Sequence, residues 1–223
     1  PLYACNLELA KAAWVSPEPM VCLMRLQWWT DTVTAMGQGA PRKAHEVAGP
    51  LHDLVRDADL PVALLAGMAE ARDWDTGTDP FPDAGALAAY IDATAGNLMW
   101  TAALALGAPP ACEPAVRDVA HAQGLAAWFC ATATLTDRGR HPLPDASAAG
   151  IAHLAGAALT RLARADRALV PKPARPALFP AWQAQGILTQ AAREPERVAA
   201  GRLGLSDFRR RAGLARLALT GRV

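Results

Sequence analysis

Carboxylates at helical spacing are the first groups in this sequence that could do chemistry. Asp53 and Asp57 form a D-x-x-x-D pair. On a helix, positions i and i+4 share a face, so both could ligate one Mg²⁺. His52, Arg56 and Asp59 surround the pair, and a solvated helix face accounts for the same pattern. Asp73, Asp75, Asp79 and Asp83 loosely resemble a calcium loop. The glycine falls at the wrong offset and no Glu closes the loop, so turn-forming Asp and a helix cap at Asp83 explain these residues more simply. The five His are dispersed, with no H-E-x-x-H and no H-x-x-x-H. His45 and His52 read as exposed; His121 and His153 fall in Ala-rich segments, where a hydrogen-bonded buried or half-buried imidazole is the default. No G-x-S-x-G, P-loop or G-x-G-x-x-G occurs.

Three further features stand out. Arg209-Arg210-Arg211 is a basic run that suits either a solvated face or a contact with anionic lipid or a partner. Trp28-Trp29 places two indoles about 100° apart on a helix, one toward the core and one toward a pocket or interface. Cys5, Cys22, Cys112 and Cys130 are scattered in apolar surroundings without a C-x-x-C, and read as small buried hydrophobes of a reducing cytoplasm.

The elements that must position these residues are helices. The chain has 223 residues, 52% of them hydrophobic and 19% charged, enough for one domain with a sizeable core. Its net charge of +1 gives no global field toward nucleic acid. The basic residues are 19 Arg against 3 Lys and Ala supplies 52 residues, a bias of the kind a GC-rich bacterial genome produces. Charge or Pro interrupts every apolar run before it could span a membrane, and no signal peptide is visible. The opening Leu2–Ala10 reads as the middle of a helix without a cap, so a preceding segment is expected.

Ser16, Pro17 and Glu18 predict a helix start, with the helix running to about Met36 and stopping at Gly37-Gln38-Gly39. A weaker helix follows over 44–57, bent near Gly49-Pro50, then one from Asp59 and Pro61 to about Trp74. Asp73–Asp83 reads as a loop. Asp83 caps a long, central helix over 84–106. Further helices are expected over 113–135 and 145–169, an irregular Pro-rich connection after Pro171, and two short helices over 181–193 and 206–220. The pattern is all-α and single-domain over 1–223, with no fixed-period repeat.

Three stretches in order resemble the squalene/phytoene synthase family. Tyr3-Ala4-Cys5-Asn6-Leu7-Glu8-Leu9-Ala10, followed by Arg25-Leu26-Gln27-Trp28-Trp29, resembles its "ALYAF" helix and the next, "L-x-x-W", helix. Tyr90-Ile91-Asp92-Ala93-Thr94-Ala95-Gly96-Asn97 is similar to "Y-x-x-x-V-A-G-x-V-G". Gly124-Leu125-Ala126, then Asp137-Arg138-Gly139-Arg140-His141-Pro142-Leu143-Pro144, resembles a motif that ends "R-D-x-x-E-D…G-R-x-Y-L-P". The resemblance spans about residues 1–170 and implies an isoprenoid-synthase-like helical bundle around a central apolar cavity.

That family ionises a diphosphate with Mg²⁺ held by two aspartate-rich motifs on facing helices. Here the first location offers only Glu8, with Lys11 and Trp14 nearby. The second, between Gly124 and Asp137, offers no carboxylate before Asp137 itself. The resemblance is closest to a degenerate branch that includes a complex I assembly factor. Three readings follow. The first is a non-catalytic binding or assembly factor with a protein partner such as a respiratory-complex subunit or assembly intermediate. The second is a carrier of an isoprenoid or lipid in a retained cavity. The third is an active prenyl transferase. The first two need no metal or other cofactor; Mg²⁺ enters only with the third. Candidate ligand or partner residues at the degenerate site are Glu8, Tyr90, Asp92, Asp137, Arg138 and Arg140, the two arginines holding an anionic head group or a partner's carboxylates. The expected setting is cytoplasmic, with at most peripheral contact at the inner membrane and no nucleic-acid partner.

Overall fold

The computed structural model describes residues 1–221. The bundle is all-α, with no strand among the described residues. In chain order its main helices are α1 (Leu2–Ala12), α2 (Pro19–Gly37), α3 (Ala48–Asp57), α4 (Val62–Ala71), α5 (Ala84–Ile91), α6 (Asn97–Ala105), α7 (Glu113–Asp137), α8 (Ala148–Arg164), α9 (Ala184–Arg193), α10 (Glu196–Ala199) and α11 (Asp207–Thr220). Short 3₁₀ turns link several of them, including Arg72–Thr76 after α4 and a proline-containing run over Lys172–Gln183.

Local signals set most boundaries. Asp83 accepts a 2.8 Å hydrogen bond from the Ala86 amide at the start of α5. Ser147 and Ser206 cap α8 and α11 in the same way. Ser16 accepts from the Glu18 amide, so α2 begins two residues later than Pro17. The Nδ1 of His45 accepts from the Val47 and Ala48 amides, which delays α3 to Ala48. Pro50 then falls in the first turn, where its missing N–H costs nothing and no bend results. α8 is shorter than its apolar pattern suggests, because the cap is Ser147 and not Asp145, and α10 went unpredicted.

The helix expected over 84–106 is continuous in direction but not in pitch. Between α5 and α6, Asp92–Gly96 form one wide turn, closed by an Asn97 amide that donates to the Asp92 carbonyl five residues back. The turn is clamped from both sides. The side-chain amide of Asn97 donates to the Leu64 carbonyl of α4 (3.0 Å), and Arg117 of α7 donates to Asp92 (3.0 Å) and to Asn97 Oδ1 (3.2 Å). α7 lies against this turn at Gly124, where a Cβ would fall 2.6 Å from the Ile91 side chain and 2.8 Å from Ala95. Only glycine permits that approach.

α7 is the other central element. Val116, Val119, Ala120, Ala122 and Phe129 are completely buried along it, facing α6, α8 and α9. Trp29 is 1% exposed while Trp28 is 37% exposed, as their helical offset requires. Cys5, Cys22 and Cys112 are buried as expected, but Cys130 is exposed, because it lies on the outward side of α7. His45 and His52 are half-buried, not exposed, and His153 is exposed, not half-buried.

Candidate functional site: an apolar cleft with a buried polar end

α1, α5, the wide turn, α6 and α7 enclose a cleft of about 490 Å³. Its walls are mainly apolar: Ile91, Ala95, Leu98 and Met99 on one side, Gly124, Ala127, Trp128 and Ala131 on another, with Tyr3 and Ala10 from α1 and Pro180 from the late 3₁₀ run. Small residues leave the space open. Of four tryptophans that could have filled it, only Trp128 lines it, held by donation from its indole N–H to the Pro142 carbonyl at 2.8 Å. Trp100 is packed in the core, Trp28 lies at the surface, and Trp14 stands outside the lining.

One end of the cleft is polar. Tyr90 is buried and its hydroxyl donates to Asp75 Oδ1 at 2.8 Å. Arg72 donates to Asp75 Oδ2 at 3.1 Å and to the side-chain oxygen of Asn6 at 3.1 Å. The guanidinium of Arg140 donates to the Asp75 carbonyl. Burial raises the Asp75 carboxyl above the ordinary range, while Arg72, Tyr90 and Arg140 pull it back. Burial also pushes the Tyr90 hydroxyl up, helped by the neighbouring Asp75 charge, so it stays a donor. Trp74, Phe81, Tyr90 and Trp128 form an aromatic wall behind this end, with Trp74 and Phe81 stacked at 4.0 Å. Arg72 Nε is buried without a hydrogen-bond partner and belongs to a residue that lines the cleft.

The candidate residues from the sequence do not form one cluster. Tyr90 lines the cleft. Glu8 instead pairs with Arg25 of α2 at 2.6 Å and is absent from the cleft lining. Asp92 is held by Arg117. Asp137 is exposed at the end of α7. Arg138 is exposed with its guanidinium 4.4 Å from the Trp14 ring centroid, and Arg140 lies 5.0 Å from the same ring. Arg140 is only 8% exposed, so it serves the Asp75 loop and not a head group in solvent. The two arginines do meet at one place, beside the Trp14 ring. Asn6, Arg72 and Asp75 are the polar residues that sequence reasoning missed. Their one local signal was the i, i+3 spacing of Arg72 and Asp75.

Burial also shifts two titratable groups outside the cleft lining. Cys5 is pushed up to about 12, chiefly by burial and then by the Glu8 charge, so its thiol is inert. His121 is lowered to about 4, chiefly by burial and then by Arg161, and its Nδ1 is buried without a partner.

The resemblance implies Mg²⁺, and the side chains can be tested for it. No carboxylate lines the cleft. Asp75, hydrogen-bonded to two lining residues, is already engaged by Tyr90 and Arg72. Among the described residues, no three His, Cys, Asp or Glu gather where they could hold a metal ion. The side chains present do not fit a cluster of divalent ions.

Among the described residues no helix is long and apolar enough to cross a membrane. No curated protein matches the chain. The family profile described as squalene/phytoene synthase matches residues 1–148, a segment that contains α1 to α7, the aromatic wall and every cleft residue except Pro180. On the match over those residues, the chain belongs to the squalene/phytoene synthase family.

Proposed function

We propose that this chain is a non-catalytic member of its family that binds an apolar ligand of the isoprenoid or lipid class in the cleft. One observation carries the reading: the cleft stays open at about 490 Å³ and apolar, yet no carboxylate reaches it. Diphosphate ionisation needs charge neutralisation at the leaving group, and Asn6, Gln123 and Arg72 cannot assemble the required cations. An apolar chain, by contrast, gains about 25 cal/mol for each Å² it buries against such walls. Extracting the purified protein with organic solvent and identifying the released lipids by mass spectrometry tests the reading. An isoprenoid or lipid that co-purifies with the native chain and is lost on Ala131→Phe is the expected result. Mg²⁺-dependent turnover of geranylgeranyl diphosphate would overturn it.

A second reading, an assembly factor for a protein complex such as a respiratory-complex intermediate, is favoured by the outer face of α2. Met20 and Met24 are each 66% exposed there, about two turns and one turn before the 37% exposed Trp28. Such a stripe suits a partner helix. Affinity capture from the native host with wild type and with Met24→Glu separates it from the first reading, since that substitution leaves the cleft untouched.

A further inference from the structure

The last helix, α11, has two unlike faces. Its inner face rests on the 3₁₀ run: Gly213 lies against the Trp182 ring, where an added Cβ would fall 2.8 Å away, and Leu217 one turn on is half-buried. About half a rotation away, Phe208, Ala212, Ala215 and Leu219 recur at i, i+4, i+7 and i+11, which is one stripe of a helix. Phe208 is 81% exposed and Leu219 is 86% exposed. Nothing in the described chain covers this stripe.

The charges around it indicate its counterpart. Arg209 and Arg216 border the stripe on one side and Arg211 on the other, and all three are exposed. The helix holds one acid, Asp207, and that residue pairs with Arg210 at 3.5 Å on the side nearer the body of the protein. A second copy of this chain seated on the stripe would bring its own arginines against these, like charge on like. A bilayer surface rich in anionic lipid has the opposite sign. It also takes apolar side chains into the headgroup–acyl boundary while arginine stems lie along the hydrocarbon and guanidinium groups reach phosphates.

We propose that α11 docks the molecule on an anionic membrane surface, with Phe208 and Leu219 inserted and Arg209, Arg211 and Arg216 on lipid phosphates. The inference is independent of what occupies the cleft. The test is flotation of the full chain with phosphatidylcholine vesicles, with and without phosphatidylglycerol. Binding is expected only with phosphatidylglycerol, and to weaken as salt rises. Phe208→Ser with Leu219→Ser should abolish it. Changing Arg209, Arg211 and Arg216 to Gln should weaken it about fivefold for each residue. All five side chains are exposed, so the variants should melt with the wild type, and a thermal scan confirms that they fold. No binding to anionic vesicles, equal binding to neutral ones, or indifference to these substitutions would overturn the proposal. So would a concentration-dependent dimer in sedimentation that the Phe208→Ser and Leu219→Ser changes dissociate, since that assigns the stripe to a second copy.

Discussion

Replacing Tyr90 by Phe removes one hydroxyl and little else. The ring keeps its contacts with Trp128 at 5.0 Å and Phe81 at 5.4 Å. What disappears is the 2.8 Å donation to Asp75, whose side chain is 12% exposed. A hydrogen bond to a charged acceptor contributes about 1.5–3 kcal/mol, and a buried acceptor left short of donors sits toward the top of that range. Asp75 retains Arg72 at 3.1 Å, which moderates the loss, so we expect about 2 kcal/mol. Urea unfolding should show a lower midpoint, by on the order of 1 M, with unchanged slope. The pH dependence follows from the same bond. Tyr90 favours the ionised form of Asp75, so the difference between wild type and variant is largest where Asp75 is charged. It shrinks as pH falls through the folded pKa of Asp75, which burial has raised. A loss below about 0.5 kcal/mol at neutral pH, or one that pH does not alter, would refute the view that this network holds the polar end of the cleft.

His121 titrates near 4 when folded against 6.5 when free, so the folded state binds fewer protons between those values. Stability should therefore fall as pH drops through that window, by up to on the order of 3 kcal/mol, and acid unfolding of His121→Gln should lack this component. Gly124→Val places a side chain inside the Ile91 and Ala95 contacts and should cost about 1–3 kcal/mol or more by thermal unfolding. Calorimetric titration with Mg²⁺ and a diphosphate analogue should give no metal-dependent binding; micromolar metal-dependent affinity would contradict the reading of the cleft. Arg138→Ala should leave the melting temperature nearly unchanged because the residue is exposed, whereas Arg140→Ala should lower it, since Arg140 is buried against the Asp75 carbonyl.

The elements that sequence reasoning located best are those decided within a few residues. Asp83 caps α5 because its own side chain reaches the Ala86 amide, and Gly39 ends α2 with a φ of +76° that its neighbours would resist. Trp28 and Trp29 divide between surface and core from rotation alone. The polar end of the cleft was not legible in that way. It joins Asn6 to Arg72 and Arg140 to the backbone of Asp75, pairs more than sixty positions apart whose meeting depends on how the helices pack. Asp75 looked like one of four turn-forming acids, and Arg140 like half of an exposed basic pair. Tertiary burial separated each from its apparent group. Cys130 illustrates the opposite error, since apolar neighbours in sequence are no guide to the side of a helix a residue faces.

The wide turn at Asp92–Gly96 has a consequence for the shape of the cleft. Tyr90 with Ile91, Thr94 with Ala95, and Leu98 with Met99 all line it, three pairs repeated every four residues. In an uninterrupted α-helix two such steps overshoot full rotations by about 80°, and the third pair would swing away from the first. One turn that holds an extra residue absorbs that drift and sets the pairs in a nearly straight file along the helix axis. The groove is therefore ruled by a phase correction in the backbone. Deleting a single residue between positions 92 and 96 would restore regular pitch and leave Leu98 seven residues after Tyr90, about 20° short of two full turns, so the file would stay in line. Closing the turn to regular pitch at unchanged length would bend the wall by about 80°, whereas losing the extra residue and the wide turn together would keep it straight.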